Sequence, residues 1–170
     1  YFGGNRSDQI LDVIENYNGE LVLVGQSKHF DPTTGNKGVS NSNLSNDDIM
    51  FMVLDKNHTY KSGRPLGGKG DETGNAIVQS YDGNYVIAGS TNSNWKGKLG
   101  KKDAWALKVD QNGSIIWSWR FGGTEDDEFY DLVQLKDGSL VFSGYKDKDA
   151  FFVKLNWKGE RINQATYPAN

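Results

Sequence analysis

The 170-residue chain is long enough for one domain with a real core, and its 19 basic and 22 acidic residues are too evenly mixed to leave the basic footprint of a nucleic-acid or anionic-membrane binder. It has no cysteine, which excludes a disulfide framework and a thiolate metal site, and no apolar stretch approaches the length of a membrane span. Glycine is abundant (21) and proline scarce (3), and 12% of the residues are aromatic, a composition that predicts many short strands joined by turns. No signal peptide is visible, and the chain opens on Tyr1 as a trimmed or mature fragment would.

In chain order, the first predicted strand is Ile10–Glu15, followed by an Asn18-Gly19 turn and a second strand over Leu21–Val24. A long polar loop precedes a third strand at Ile49–Leu54 and a fourth at Thr59–Arg64. The pattern then returns. Asn75–Gln79, the Asp82-Gly83 turn, Tyr85–Ala88, Ala104–Val109 and Ser114–Trp119 form a second set. Phe129–Gln134, Asp137-Gly138, Leu140–Ser143, Ala150–Leu155 and Glu160–Ala165 form a third. Asn-Gly and Asp-Gly are strong hairpin signals, because these residues accept the positive φ that a two-residue turn needs.

Fixed offsets tie the three sets into a repeat. Phe2-Gly3-Gly4 recurs as Leu66-Gly67-Gly68 and Phe121-Gly122-Gly123. Another glycine follows 15 residues after each pair (Gly19, Gly83, Gly138), and a third 6 residues later (Gly25, Gly89, Gly144). An Asp opens each third strand (Asp48, Asp103, Asp149), and 7 residues on lies a turn residue (Asp55, Asp110, Asn156). The repeats run approximately over 1–65, 66–120 and 121–170, within a single domain spanning 1–170. Second and third strands such as Leu21-Val22-Leu23-Val24 are apolar on both faces and must lie between two layers. The fourth strands are mixed, as edge strands are. A four-stranded meander with a buried interior and a polar outer edge describes a propeller blade. The predicted fold is therefore all-β and propeller-type, with three four-stranded antiparallel blades; a β-trefoil-like threefold fold is the alternative.

The pattern FGG…D…DG…G.S…D…K.D..G…W resembles the β-propeller repeats of bacterial secreted and cell-surface proteins. Its closest match runs from Trp105 to Trp117 and on to Phe121-Gly122-Gly123, and the resemblance covers nearly the whole chain. It implies the fold and an extracellular or cell-surface location, and it carries little about activity. The first repeat departs from the pattern at Asn57-His58, where Gly is usual, and the last at Tyr167-Pro168-Ala169, which replaces FGG. Propellers close with about 4 to 8 blades. Three blades thus call for a homodimer that completes a six-bladed ring, or for more blades in a longer chain.

Function is expected where the scaffold varies. The step from the third glycine to the following Asp is 23, 14 and 5 residues in the three repeats, whereas the turns at the other end are uniformly short. A rigid scaffold with diversified loops at one end is a common way to build a binding site. Trp95 could stack on a sugar ring or aromatic group, with Asn92, Asn94 and Lys96 beside it and Asn43 and Asn46 from the first loop. Trp105, Trp117, Trp119 and Trp157 lie on or beside strands and are assigned to packing.

Glu125, Asp126, Asp127, Glu128 and Asp131 concentrate carboxylates. Asp126, Asp127 and Asp131 are candidate calcium ligands, and a carboxylate pair there could serve glycoside hydrolysis. An acid recurs in the equivalent segments, at Asp8 and at Asp71-Glu72, which points to a repeated structural task such as capping a loop. Asp48, Asp103 and Asp149 are read as bonding nearby backbone amides. Two distant histidines and the lack of P-loop, G-x-S-x-G or H-E-x-x-H motifs offer no other chemistry. The function expected is a non-catalytic binding or scaffolding module for carbohydrate or protein, without nucleic acid or membrane insertion and with calcium as the only cofactor considered. The alternatives are a carbohydrate-active enzyme using the 125–131 carboxylates, or a structural spacer in a larger surface protein. On this reading, trimming residues 31–46 should leave the fold intact, as followed by circular dichroism, and abolish ligand binding.

Overall fold

The computed structural model describes residues 8–28, 46–94 and 99–168. Twelve strands form three four-stranded antiparallel sheets. Sheet 1 contains β1 (Gln9–Glu15), β2 (Leu21–Ser27), β3 (Asp48–Leu54) and β4 (Tyr60–Leu66). Sheet 2 contains β5 (Glu72–Gln79), β6 (Tyr85–Thr91), β7 (Asp103–Val109) and β8 (Ile115–Phe121). Sheet 3 contains β9 (Glu128–Gln134), β10 (Leu140–Lys146), β11 (Asp149–Leu155) and β12 (Arg161–Tyr167). Each sheet is a meander in sequence order, and every ladder between named strands stays inside one sheet.

The sheets stack face to face through two apolar junctions. β5 lies across β1, β2 and β3, and β9 lies across β5, β6 and β7. Alternation along each strand sends one set of side chains to each face. Val22, Val24, Ile49, Phe51 and Val53 meet Tyr85, Ile87, Trp105 and Leu107 at the first junction. Val86, Ala88, Ala104 and Ala106 meet Phe129, Leu140, Phe142 and Phe151 at the second. The small residues of sheet 2 leave room there for the phenylalanines of sheet 3. β6 and β7 are buried throughout because sheet 2 is covered on both sides. β10 and β11 alternate instead, because only one of their faces meets a partner sheet. Double-sided burial of the middle strands was therefore expected of all three repeats, and sheet 3 departs from it.

The repeated glycines have separate causes. A β-bulge kinks the first strand of each sheet against the second. The kink brings a carbonyl onto Gly25, Gly89 and Gly144, where a Cβ would lie 1.8 Å from the oxygen of Gln9, Thr73 and Glu128 respectively. Gly19, Gly83 and Gly138 close the following hairpins with φ between +72° and +82°. These turns are not the two-residue kind expected from Asn-Gly and Asp-Gly. Asn18, Asp82 and Asp137 keep negative φ, and only the glycine is left-handed, as in a longer loop ending in a glycine bulge. At the other hairpins Gly113 and Gly159 have positive φ, and His58 holds the equivalent place with φ 60°. Asp147 and Lys148, both with positive φ, make the short β10–β11 turn.

Two glycine substitutions separate sterics from backbone conformation. Gly138→Ala meets nothing within 4 Å and suffers only its positive φ, so it should cost about 1 kcal/mol. Gly89→Ala drives a methyl into a buried carbonyl and should cost more than about 3 kcal/mol. Denaturant unfolding of both variants measures the difference.

Candidate binding groove between sheets 2 and 3

The sheets are held in register at the short-turn end by a repeated staple. Gln79 Oε1 accepts the Tyr17 N–H at 2.7 Å, and Gln134 Oε1 accepts the Tyr81 N–H at 3.0 Å. Each glutamine also donates from Nε2 to its own turn, to Gly83 and Gly138, at 3.1 Å. The last residue of one first strand thus fixes the hairpin of the preceding sheet. The tyrosine rings are left outside, with Tyr17 67% and Tyr81 61% exposed.

Between sheets 2 and 3 this geometry opens two hollows, one on each side of the β11–β12 turn. A hollow of about 320 Å³ is lined by Ser80, Tyr81, Asp82, Gln134, Gly138 and Trp157. The buried Lys108 braces it, with Nζ 2.7 Å from Asp82 Oδ2 and 3.5 Å from the Trp157 carbonyl. Burial pushes the Asp82 carboxyl up, but hydrogen bonds from Lys108 and Asn84 outweigh it and hold the group below the usual carboxylate range. The anion is thereby kept at the rim.

The second hollow, about 390 Å³, is lined by Trp119, Arg120, Phe121, Gly159, Glu160 and Arg161. Trp117, Trp119 and Phe121 alternate onto the β8 face that looks toward sheet 3. Trp117 and Phe121 pack on the second junction, whereas Trp119 stays 51% exposed. Gly159 permits this arrangement, since a Cβ there would come within 2.9 Å of both Trp117 and Trp119. Trp157, on the other side of the same turn, is 57% exposed. The assignment of all four strand-associated tryptophans to packing therefore holds for Trp105, which is buried in the first junction, and for the half-buried Trp117. It fails for Trp119 and Trp157. The sequence did place Trp119 on the edge strand β8 and Trp157 beside a hairpin, where a ring has few neighbours to cover it.

The residues singled out from sequence do not converge in this way. Asn46 Nδ2 donates to the Lys69 carbonyl. Asn92 Oδ1 accepts the Asp71 N–H at 2.7 Å while its Nδ2 donates to Asp71 Oδ2 at 3.2 Å, so its amide ties two loops together. Asn94 is exposed. Asn43, Trp95 and Lys96 lie outside the described residues.

The acids show why carboxylates recur. Asp127 is fully buried and accepts the Gly123 and Asp147 N–H groups, each at 2.7 Å. Burial raises its carboxyl above the usual range against the pull of those amides. Asp126 is exposed and meets Lys102 through a backbone β-bridge, while the Lys102 ammonium pairs with Glu128, and Asp131 accepts the N–H of its own neighbour Leu132 at 2.8 Å. No group of three or more His, Cys, Asp or Glu side chains is placed to hold a metal among the described residues, so Asp126, Asp127 and Asp131 are not brought together as a calcium site. Glu72 repeats the role of Asp127, accepting the Gly68 N–H at 2.8 Å. In both cases an acid caps the second glycine of the Gly-Gly pair four residues before it. Asp103 similarly accepts the Gly100 N–H at 2.8 Å.

Asp48 differs from Asp103 because its carboxyl hydrogen-bonds to the buried Glu72. Burial first, then repulsion from Glu72, pushes Asp48 up to about 7. Gly67 sits directly over both carboxyls.

Comparison with known proteins adds the fold. No family model matches the chain, and no curated protein does. Among solved structures, it superposes on a protein of unknown function from Bacteroides caccae with TM-score 0.55 and 10% identity, covering 98% of this chain and 48% of that one. It also superposes on a eukaryotic initiation factor with TM-score 0.53 and 12% identity, covering 96% of this chain and 33% of that one. The chain thus spans about half and a third of the lengths of these two, and the likeness is one of fold alone.

The Asp48–Glu72 pair makes stability depend on pH. A folded-state value of about 7 lies above the ordinary 3.8, so the protonated Asp48 contributes stability that is fully present below about pH 4 and lost as pH rises through about 7. Asp48→Asn should remove this decline and stabilise the fold at pH 8 by on the order of 2 kcal/mol. Thermal unfolding of both proteins across that range measures it.

Proposed function

We propose that the protein is a non-catalytic, extracellular binding module of propeller type, and that it takes carbohydrate in the aromatic groove between its second and third blades. Confinement of every named ladder to one repeat favours blades over a trefoil, whose barrel would join strands of different repeats. The repeat pattern is the ground for placing the chain with bacterial secreted and cell-surface propeller repeats.

One observation carries the ligand reading. Tyr81, Trp119 and Trp157 keep more than half of their surface in solvent while flanking two hollows around a single turn. Large rings held by a rigid scaffold offer apolar faces for the C–H faces of sugars, and Asp82, Glu160 and Arg161 offer acceptors and donors for hydroxyls. The 125–131 carboxylates support binding better than hydrolysis, because Asp127 is buried under two backbone amides.

A second site at the variable-loop end rests on the loop lengths and on Trp95. The two sites are separable by substitution. Trp119→Ala and Trp157→Ala should each weaken binding in a panel of soluble polysaccharides about tenfold or more, with an unchanged circular dichroism spectrum. Loss on Trp95→Ala alone would move the site to the loop end, and turnover of any polysaccharide would overturn the non-catalytic reading.

A further inference from the structure

We infer that Lys108 is the positioning residue of the groove, and that its ion pair with Asp82 serves to set the separation of the Tyr81 and Trp157 rings, not to stabilise the fold. The inference rests on the carbohydrate reading for its ligand, while the placement of the rings stands on geometry.

Lys108 is an unusual lysine. It belongs to β7, on the face that turns Ala104 and Ala106 toward sheet 3, and only 2% of it is exposed. A lysine is almost never buried this far without a partner. Its ammonium has one in each wall of the smaller hollow. On the sheet 2 side it lies 2.7 Å from Asp82 Oδ2, and on the sheet 3 side 3.5 Å from the Trp157 carbonyl. Each contact falls within one residue of an exposed ring: Asp82 directly follows Tyr81, and Trp157 carries the second ring itself. Gly138, which lines the same hollow, keeps it open, since a Cβ there would meet nothing within 4 Å. The Asp82 side chain is 44% exposed, so an anchored carboxylate remains available to a ligand hydroxyl.

The other repeats show that a sheet junction does not need this pair. In sheet 1 Val53 stands at the position of Lys108, and Asn18 at that of Asp82. Both charges are missing together, and Val53 joins the apolar cluster of the first junction. Sheet 3 has both charges again, as Lys154 and Asp137 at 3.4 Å. An ion pair withdrawn from water loses hydration that its attraction does not in general recover, and apolar residues in its place are often as stable. The buried pair therefore calls for a role other than stability. Among the described residues Lys108 alone reaches from such a pair to the turn of a neighbouring sheet, and that turn carries an exposed tryptophan.

The full chain with Lys108→Val and Asp82→Asn together reproduces the sheet 1 residues at the second junction. Its thermal unfolding midpoint should stay within about 3 °C of the parent. Asp82→Asn alone strands the buried ammonium and should lower the midpoint by about 5 °C or more. The Asn156 and Gly159 amides close the Trp157 turn with hydrogen bonds of 2.8 and 2.9 Å. In the double variant they should exchange with deuterium about tenfold faster, with the Val86 and Leu107 amides unchanged. Fluorescence titration with cellohexaose, xylohexaose and N-acetylchitohexaose should give an affinity about tenfold lower for each sugar that the parent binds. Unchanged exchange at the turn would overturn the inference, as would sugar binding as tight as the parent's. A double variant as destabilised as Asp82→Asn would make the pair structural and overturn it too. If the parent binds none of the three sugars, the carbohydrate reading fails, and the exchange rates decide the positioning role by themselves.

Discussion

The first strands of the second and third sheets lean across the face of the sheet before them, and the stack depends on that contact. β5 and β9 carry the residues that join neighbouring sheets into two clusters of zero or near-zero exposure, including Phe51, Trp105, Phe129 and Phe142. A single four-stranded meander buries too little surface to stand alone, so stability resides at the junctions. The bulge that kinks each first strand, and the glycine that admits its carbonyl, prepare the strand for this role.

Polar groups then fix the register that apolar contact leaves loose. The Gln79 and Gln134 staples act at the short-turn end. At the opposite end Glu72 and Asp127 cap glycine amides, and Asn75 reaches across to Glu128 and the Phe129 carbonyl, both at 2.8 Å. Burying these acids is costly unless donors satisfy them. Asp127 has its two amides. Asp48 and Glu72 lie against each other, and the strain of that pair shows as a proton retained near neutrality. The same arrangement that aligns the sheets places exposed rings at the junction rim, so the candidate groove is a by-product of stacking with a usable chemistry.

Much of this was legible beforehand. All twelve strands lie where the repeat put them, most extended by one to three residues at one end. Glu72, equivalent to Asp127, does cap a loop glycine. What escaped was the fate of individual aromatic rings. Trp105 and Trp119 are both strand tryptophans, but Trp105 faces sheet 1 in the middle of a sheet and Trp119 sits on an edge strand where sheet 3 recedes. Linear spacing assigns a side chain to a face; it does not say how far the opposite sheet extends. The candidate groove escaped for the same reason, since its walls come from β8 and from two hairpins more than 70 residues apart, Tyr81 and Trp157.

By itself, then, the sequence determined the strand order, the positions of the hairpins and the recurrence of an acid beside the Gly-Gly pairs. Those are local properties, set by alternation, by the conformations glycine allows and by hydrogen bonds between near neighbours. The tertiary structure decided which faces are covered, which tryptophans remain in solvent and which carboxyls are buried against each other. Those outcomes depend on the separation between sheets, a distance fixed by the side chains of two repeats at once.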